Sequence, residues 1–158
     1  MILAHITVPL ILYGIFHGIF PQFHLLALLV GANISSLDVF PTLLRKKPPK
    51  NPIAEKHAAT IFHTLFFFVA LFVPLYFLFD FRTNSLIALS FMVGGFTHVL
   101  MDALDEKGRM LLYPVSKKFY GLRILTYDFW TYVTDIKIFA VEATLFVAAC
   151  VTLLVCFP

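Results

Sequence analysis

Residues 64–79 read TLFFFVALFVPLYFLF. The stretch carries no charge, and it sits within a longer apolar run, Ala58–Phe79. About 20 mostly apolar residues are needed to cross the hydrocarbon core of a bilayer. A membrane explains this phenylalanine-rich run better than any binding site does, and Pro74 is expected to bend its helix. Working outward, Leu86–Leu104 and Ile138–Phe157 meet the same test, and so does Ile2–Phe20, with His5 and His17 as polar exceptions and Pro9 as a second bend. The run from His24 to Leu44 is weaker. It opens as LLALLVGA, turns polar as NISSLD and meets Pro41, so it is expected to break or end near Asp38. It either spans or re-enters, the latter being tolerated where the backbone is covered by protein or lines a cavity.

The expected fold is therefore all-α: a polytopic transmembrane helical bundle of about five apolar segments forming a single integral membrane domain over residues 1–158. Composition agrees. Hydrophobic residues make up 60% of the chain and charged residues 13%, whereas soluble domains are about a quarter charged and under half apolar. The N-terminus lacks the basic region and small-residue cleavage motif of a signal peptide. Cys150 and Cys156 lie ~9 Å apart along one helix at ~1.5 Å per residue, too far for a disulfide, and they form no metal motif.

Three loops separate the runs. RKKPPKNPIAEK (45–56) is basic and proline-rich, DFRTNS (80–85) is short, and 105–137 is long, with basic residues interleaved among aromatics. The last is expected to include an interfacial helix with Trp130 and tyrosines at headgroup depth. Eleven of the twelve Lys and Arg residues fall in the 45–56 and 105–137 segments. Two spans separate those segments, so both lie on one side, and the positive-inside rule makes that side cytoplasmic. The net charge of +3 is thus a topogenic signal with attraction to anionic membrane lipids, and it does not point to nucleic acid.

On this topology the polar residues of the apolar runs gather at one face. Asp38 precedes the first basic loop, His57 and His63 follow it, His98 and Asp102 precede the second, and His5 opens the first run. All fall within about two helical turns, ~11 Å, of the cytoplasmic side. If the weak second run does not span, the N-terminus lies outside and His5 leaves the cluster. His98 and Asp102 at i, i+4 share a helix face. A mixed imidazole and carboxylate set suits Zn²⁺, Mn²⁺ or Fe²⁺, and helical bundles build metal sites from several helices in this way. The candidate ligands are Asp38, His63, His98 and Asp102, with His5 as a fifth. Each has a plainer alternative: the His–Asp pair as a structural hydrogen bond, Asp38 as a helix cap beside the turn residues Ser35 and Ser36, and His63 as a packing residue. His57, about 120° from His63 around a helix, reads as interfacial, and Glu142 as either a supporting group or a bundle hydrogen-bonder.

The segment GGFTHVLMDALDEKGRMLLYPVSKK (94–118) resembles the H-x-x-x-D … G-x-x-x-L-x-P signature of the prokaryotic membrane-bound metal-dependent hydrolases, through His98, Asp102, Gly108, Leu112 and Pro114. LLVGANISSLDVF is similar to that family's "lGallPDiD" element, KHAATIFHTLF matches its "HRgxTHS" element in part, and MILAHITVP matches its N-terminal "TH" stretch through His5 alone. The "PDiD" proline and first aspartate and the "HR" dipeptide are absent here. The resemblance implies an inner-membrane, metal-dependent hydrolase, with Zn²⁺ or Mn²⁺ activating water at the cytoplasmic interface. A site at headgroup depth under a basic rim suits a lipid or lipid-linked phosphate, with Lys107, Arg109, Lys117 and Lys118 as headgroup contacts. A transporter or metal-handling protein, or a non-catalytic structural membrane protein, would use the same cluster differently.

Overall fold

The apolar runs become helices, and the polar breaks between them become turns. The computed structural model describes residues 4–39, 61–83, 85–104, 108–122 and 135–156, without the side chains of residues 38 and 39. Helix α1 spans Ala4–Ile19 and α2 spans Leu25–Ile34, followed by a 3-10 turn at Ser35–Val39. A second 3-10 turn, Ile61–His63, leads into α3 (Leu65–Leu75), which continues through a π-helical turn, Tyr76–Asp80, and a last turn, Phe81–Thr83. Helix α4 covers Ile87–Asp102 and α5 covers Ile136–Cys156. Among the described residues no strand forms, only isolated bridges at Phe23–Leu86 and Arg109–Tyr120.

Among the described residues, two helices are long and apolar enough to cross a bilayer, Leu65–Thr83 and Ile136–Cys156, and both are little buried inside the protein. An apolar helix so little buried turns its side chains outward. Leu78 is 72% exposed and Leu154 73%, which a soluble fold would not leave as a continuous face. The cysteines Cys150 and Cys156 are free and exposed on the same helix. The other apolar helices, Ala4–Ile19, Leu25–Leu37 and Ile87–Asp102, are shorter than a full span. Helix α2 ends at Ile34, inside the polar NISSLD stretch, and a 3-10 turn carries the chain through Asp38, near which the run is expected to break or end, to Val39.

Helices α2 and α4 form the closest pair and run parallel. The His24 N–H donates to the Ser90 hydroxyl near their starts, and the His98 ring meets the Ala32 carbonyl near their ends. Gly31 and Gly94 permit this approach. A Cβ on Gly31 would overlap the Phe91 carbonyl, and one on Gly94 the Leu28 carbonyl; small residues let helix backbones come together in this way in membranes. Helix α3 also packs on α4, with Phe68, Phe91 and Val99 as the buried core. Helices α1 and α5 run parallel to each other, Glu142 meeting Ala4 at one end and Thr152 meeting Gly14 further along. The beginnings of α1, α3 and α5 and the ends of α2 and α4 therefore share one end of the bundle.

At the opposite end, buried Asp80 caps α4. Its Oδ1 accepts from the Ile87 N–H at 2.9 Å and the Ser85 hydroxyl at 2.9 Å, and its Oδ2 accepts from the Ala88 N–H at 3.0 Å. A carboxylate on otherwise orphaned N–H groups at a helix start satisfies both hydrogen bonding and the helix dipole. The expected interfacial helix is absent from the described part of the 105–137 segment. Residues 108–122 instead form turns closed by paired hydrogen bonds of 2.8 Å between Arg109 and Tyr120. Gly108, at φ +66°, makes the reversal that a helix would not tolerate. The 45–56 loop, His57, Lys107 and Trp130 lie outside the described residues.

Candidate metal centre

Asp102 ends α4, and four side chains converge on its carboxylate. Its Oδ2 lies 3.3 Å from His63 Nε2, 3.4 Å from His98 Nε2 and 3.1 Å from Arg109 Nε, while Oδ1 lies 3.3 Å from His5 Nε2. The two ring nitrogens of His63 and His98 are 3.2 Å apart. The His5 ring stacks on that of His98 at 4.2 Å between centroids. His63, His98, Asp102 and Arg109 are all buried. The His5 side chain, 12% exposed, is the most open member.

Local structure fixes each group. His98 Nδ1 lies 2.6 Å from the Ala32 carbonyl. A carbonyl only accepts, so the neutral ring carries its proton on Nδ1 and presents the Nε2 lone pair to Asp102 and His63. His63 closes the Ile61–His63 turn and precedes Thr64, the N-cap of α3, whose side chain accepts from the Phe67 N–H at 3.2 Å. That turn is also tied to α2: the buried Ser35 hydroxyl donates to the Phe62 carbonyl at 2.6 Å. The Leu65 N–H donates to the Leu111 carbonyl at 3.1 Å, joining α3 to the hairpin after α4. Glu142 Oε1 accepts from the Ala4 N–H at 3.4 Å, next to His5. Glu142 thus acts as a bundle hydrogen-bonder that also holds the start of α1.

The donor set fits a divalent cation. Zn–N and Zn–O bonds of ~2.0–2.1 Å in a tetrahedron put ligand atoms ~3.3 Å apart. His63 Nε2, His98 Nε2 and Asp102 Oδ2 form a triangle with edges of 3.2, 3.3 and 3.4 Å. His5, His98 and Asp102 make an overlapping group whose ligand atoms all lie within 4.8 Å of one another. The buried Nδ1 of His5 has no hydrogen-bond partner among the described residues. The carbonyl on His98 is the outer partner that metal-bound histidines ordinarily have.

Of the candidate ligands, the structure brings together His5, His63, His98 and Asp102. Asp38 lies on the Ser35–Val39 turn after α2, with its side chain outside the description. The expected headgroup contacts divide. Lys117 and Lys118 are exposed on the hairpin, whereas Arg109 is buried against Asp102 and also donates from Nη1 to the Gly108 carbonyl at 3.1 Å. Sequence reasoning places Arg109 on a basic rim because it is one of the Lys and Arg residues concentrated in the 105–137 segment. The signal that could have found it is Gly108, which turns the chain back immediately before it.

The YdjM inner membrane protein family matches residues 1–157. The chain belongs to this family. Neither a curated protein nor a solved structure matches it. YdjM membership makes it a prokaryotic inner-membrane protein, which accounts for the outward-facing apolar helices. The membrane part of the hydrolase resemblance is thereby established; the hydrolytic part is not carried by the YdjM description.

Proposed function

We propose that this chain is an integral-membrane, metal-dependent hydrolase whose centre lies at the cytoplasmic interface and acts on a lipid or lipid-linked phosphate. The near-equilateral triangle of His63 Nε2, His98 Nε2 and Asp102 Oδ2 carries the reading. Three protein ligands with an open fourth position is the usual plan of a catalytic rather than a structural zinc site. Zn²⁺ or Mn²⁺ held there would supply Lewis acidity and a water made acidic enough to attack near neutral pH. The chain's own residues do the rest. Ala32 and Ser35 fix the His98 ring and the His63 turn, His5 offers a further nitrogen, and Asp38 is a further ligand candidate on the turn after α2. Exposed Lys117 and Lys118, with Lys107, would attract an anionic headgroup. A five-span serpentine with both basic segments inside would account for the way the described helices α1 to α5 alternate in direction at the site.

The Arg109–Asp102 ion pair, 3.1 Å apart and buried, favours one other reading. Arg109 already neutralises the carboxylate, so the cluster could stand as a structural polar network without a metal. Metal content decides between the two. Wild type, His98→Ala and Asp102→Ala are purified in detergent without chelators, and bound metals are quantified by mass spectrometry. Stoichiometric metal in wild type, lost in both folded variants, supports the hydrolase reading and justifies a screen of phospholipids and lipid phosphates. No metal after incubation with Zn²⁺ or Mn²⁺ sinks it in favour of the structural network.

A further inference from the structure

A groove of about 450 Å³ runs along the outer surface between α2, α3 and α4. Its wall is almost wholly apolar: Ala27, Val30 and Ile34 from α2, Leu71 and Leu75 from α3, and Phe91 from α4. Four of these, Ala27, Ile34, Leu71 and Leu75, pack directly on the buried core, so the floor of the groove is core rather than a gap between loose helices. Its direction carries the argument. Ile34 lies at the site end of α2, immediately before Ser35, whose hydroxyl holds the turn bearing His63. Ala32, in the same helical turn, holds His98 through its carbonyl. From Ile34 back to His24, level with Ile87 at the start of α4, the groove follows the helix away from the polar cluster for ~15 Å at ~1.5 Å per residue. An apolar trough on an inner-membrane protein, with one end at the level of the buried polar centre, matches a molecule with one long chain and a polar head.

We propose that this groove seats the hydrocarbon chain of a membrane amphiphile and brings its headgroup to the level of His98 and Asp102. This rests on the hydrolase reading for the fate of the headgroup, but chain binding does not require turnover. The test uses the full chain reconstituted in vesicles of phosphatidylethanolamine and phosphatidylglycerol containing a phospholipid with a photoreactive diazirine in its acyl chain. Crosslinked residues are mapped by mass spectrometry in wild type and Val30→Trp. Val30 lies half-exposed on the groove rim, so the indole fills the trough without entering the core.

The expected result is labelling concentrated on Ala27, Val30, Leu71 and Leu75 in the wild type. That labelling falls about tenfold in Val30→Trp, the effect of excluding roughly two buried methylenes, while labelling of exposed Phe146 and Leu154 on α5 stays constant. Equal labelling of the groove and the α5 face means ordinary annular lipid and overturns the proposal, as does groove labelling indifferent to the indole. Failure of the hydrolase reading shows separately, as absent metal in a protein that still labels in the groove.

Discussion

Arg109 Nε lies 3.1 Å from Asp102 Oδ2, with both side chains buried. A buried pair contributes little net stability when both partners are present, yet removing one leaves an uncompensated charge and costs about 3–5 kcal/mol. Arg109→Gln is therefore expected to lower the thermal unfolding midpoint sharply in detergent. Arg109→Lys should fall between, because an ammonium restores charge without the planar fork. Added Zn²⁺ or Mn²⁺ should recover part of the loss in Arg109→Gln, since a divalent cation supplies the missing compensation. Unfolding curves with and without metal check this, and an Arg109→Gln variant as stable as wild type would contradict the pairing.

The two carboxylate oxygens predict unequal histidines. His63 faces Oδ2 within the tight triangle, whereas His5 faces Oδ1 from the more open side. His63→Ala should abolish stoichiometric metal. His5→Ala should weaken it by about 10- to 100-fold, the range for a supporting partner. Competition against a chelator of known affinity measures both, and a reversed order would place the centre on the Oδ1 side.

Gly31 and Gly94 hold α2 against α4 where any Cβ meets backbone. Gly94→Ala should separate the helices and remove the Ala32 carbonyl from His98, with loss of the monodisperse folded species on size-exclusion chromatography. A Cβ at Gly18 meets nothing within 4 Å, so Gly18→Ala should be neutral or should stabilise by up to ~1 kcal/mol through helix propensity. Running both variants together separates a packing effect from a propensity effect.

Asp80 and the polar centre lie at opposite ends of α4, ~22 Å apart at ~1.5 Å per residue. Asp80→Ala leaves the Ile87 and Ala88 N–H groups without their carboxylate, a loss expected to cost about 1–3 kcal/mol. Metal stoichiometry should not change. Calorimetry alongside metal analysis tests both halves, and loss of metal in Asp80→Ala would show that the two ends are coupled.

Ser35 links α2 to the turn that carries His63. Ser35→Ala removes one buried hydrogen bond, worth about 1 kcal/mol in itself and more if the Phe62 carbonyl is left unsatisfied. The expected signature is a modest fall in stability with a larger fall in metal affinity, because His63 loses its anchor while its ring remains. A stability loss with unchanged affinity would make Ser35 a packing residue only.

By itself the sequence determined where helices form and where they stop, because continuous apolar runs leave the backbone no other way to satisfy its hydrogen bonds in lipid. It also determined that His98 and Asp102 share a face, since i, i+4 spacing is a property of one helix. That the second run loses its α-helix in the polar NISSLD stretch was legible for the same local reason. What touches what was not legible. That α2 lies parallel to α4, so that the Ala32 carbonyl meets His98, depends on Gly31 and Gly94 fitting opposing carbonyls, a match between segments about 60 residues apart. Periodicity encodes a face but not its partner. Arg109 reads as part of a basic rim, and it is Gly108 and the Tyr120 pairing that fold it back onto Asp102 in a hairpin over 108–122. Only the tertiary structure could decide this, because a buried cation is tolerated solely where a carboxylate from another element is already waiting.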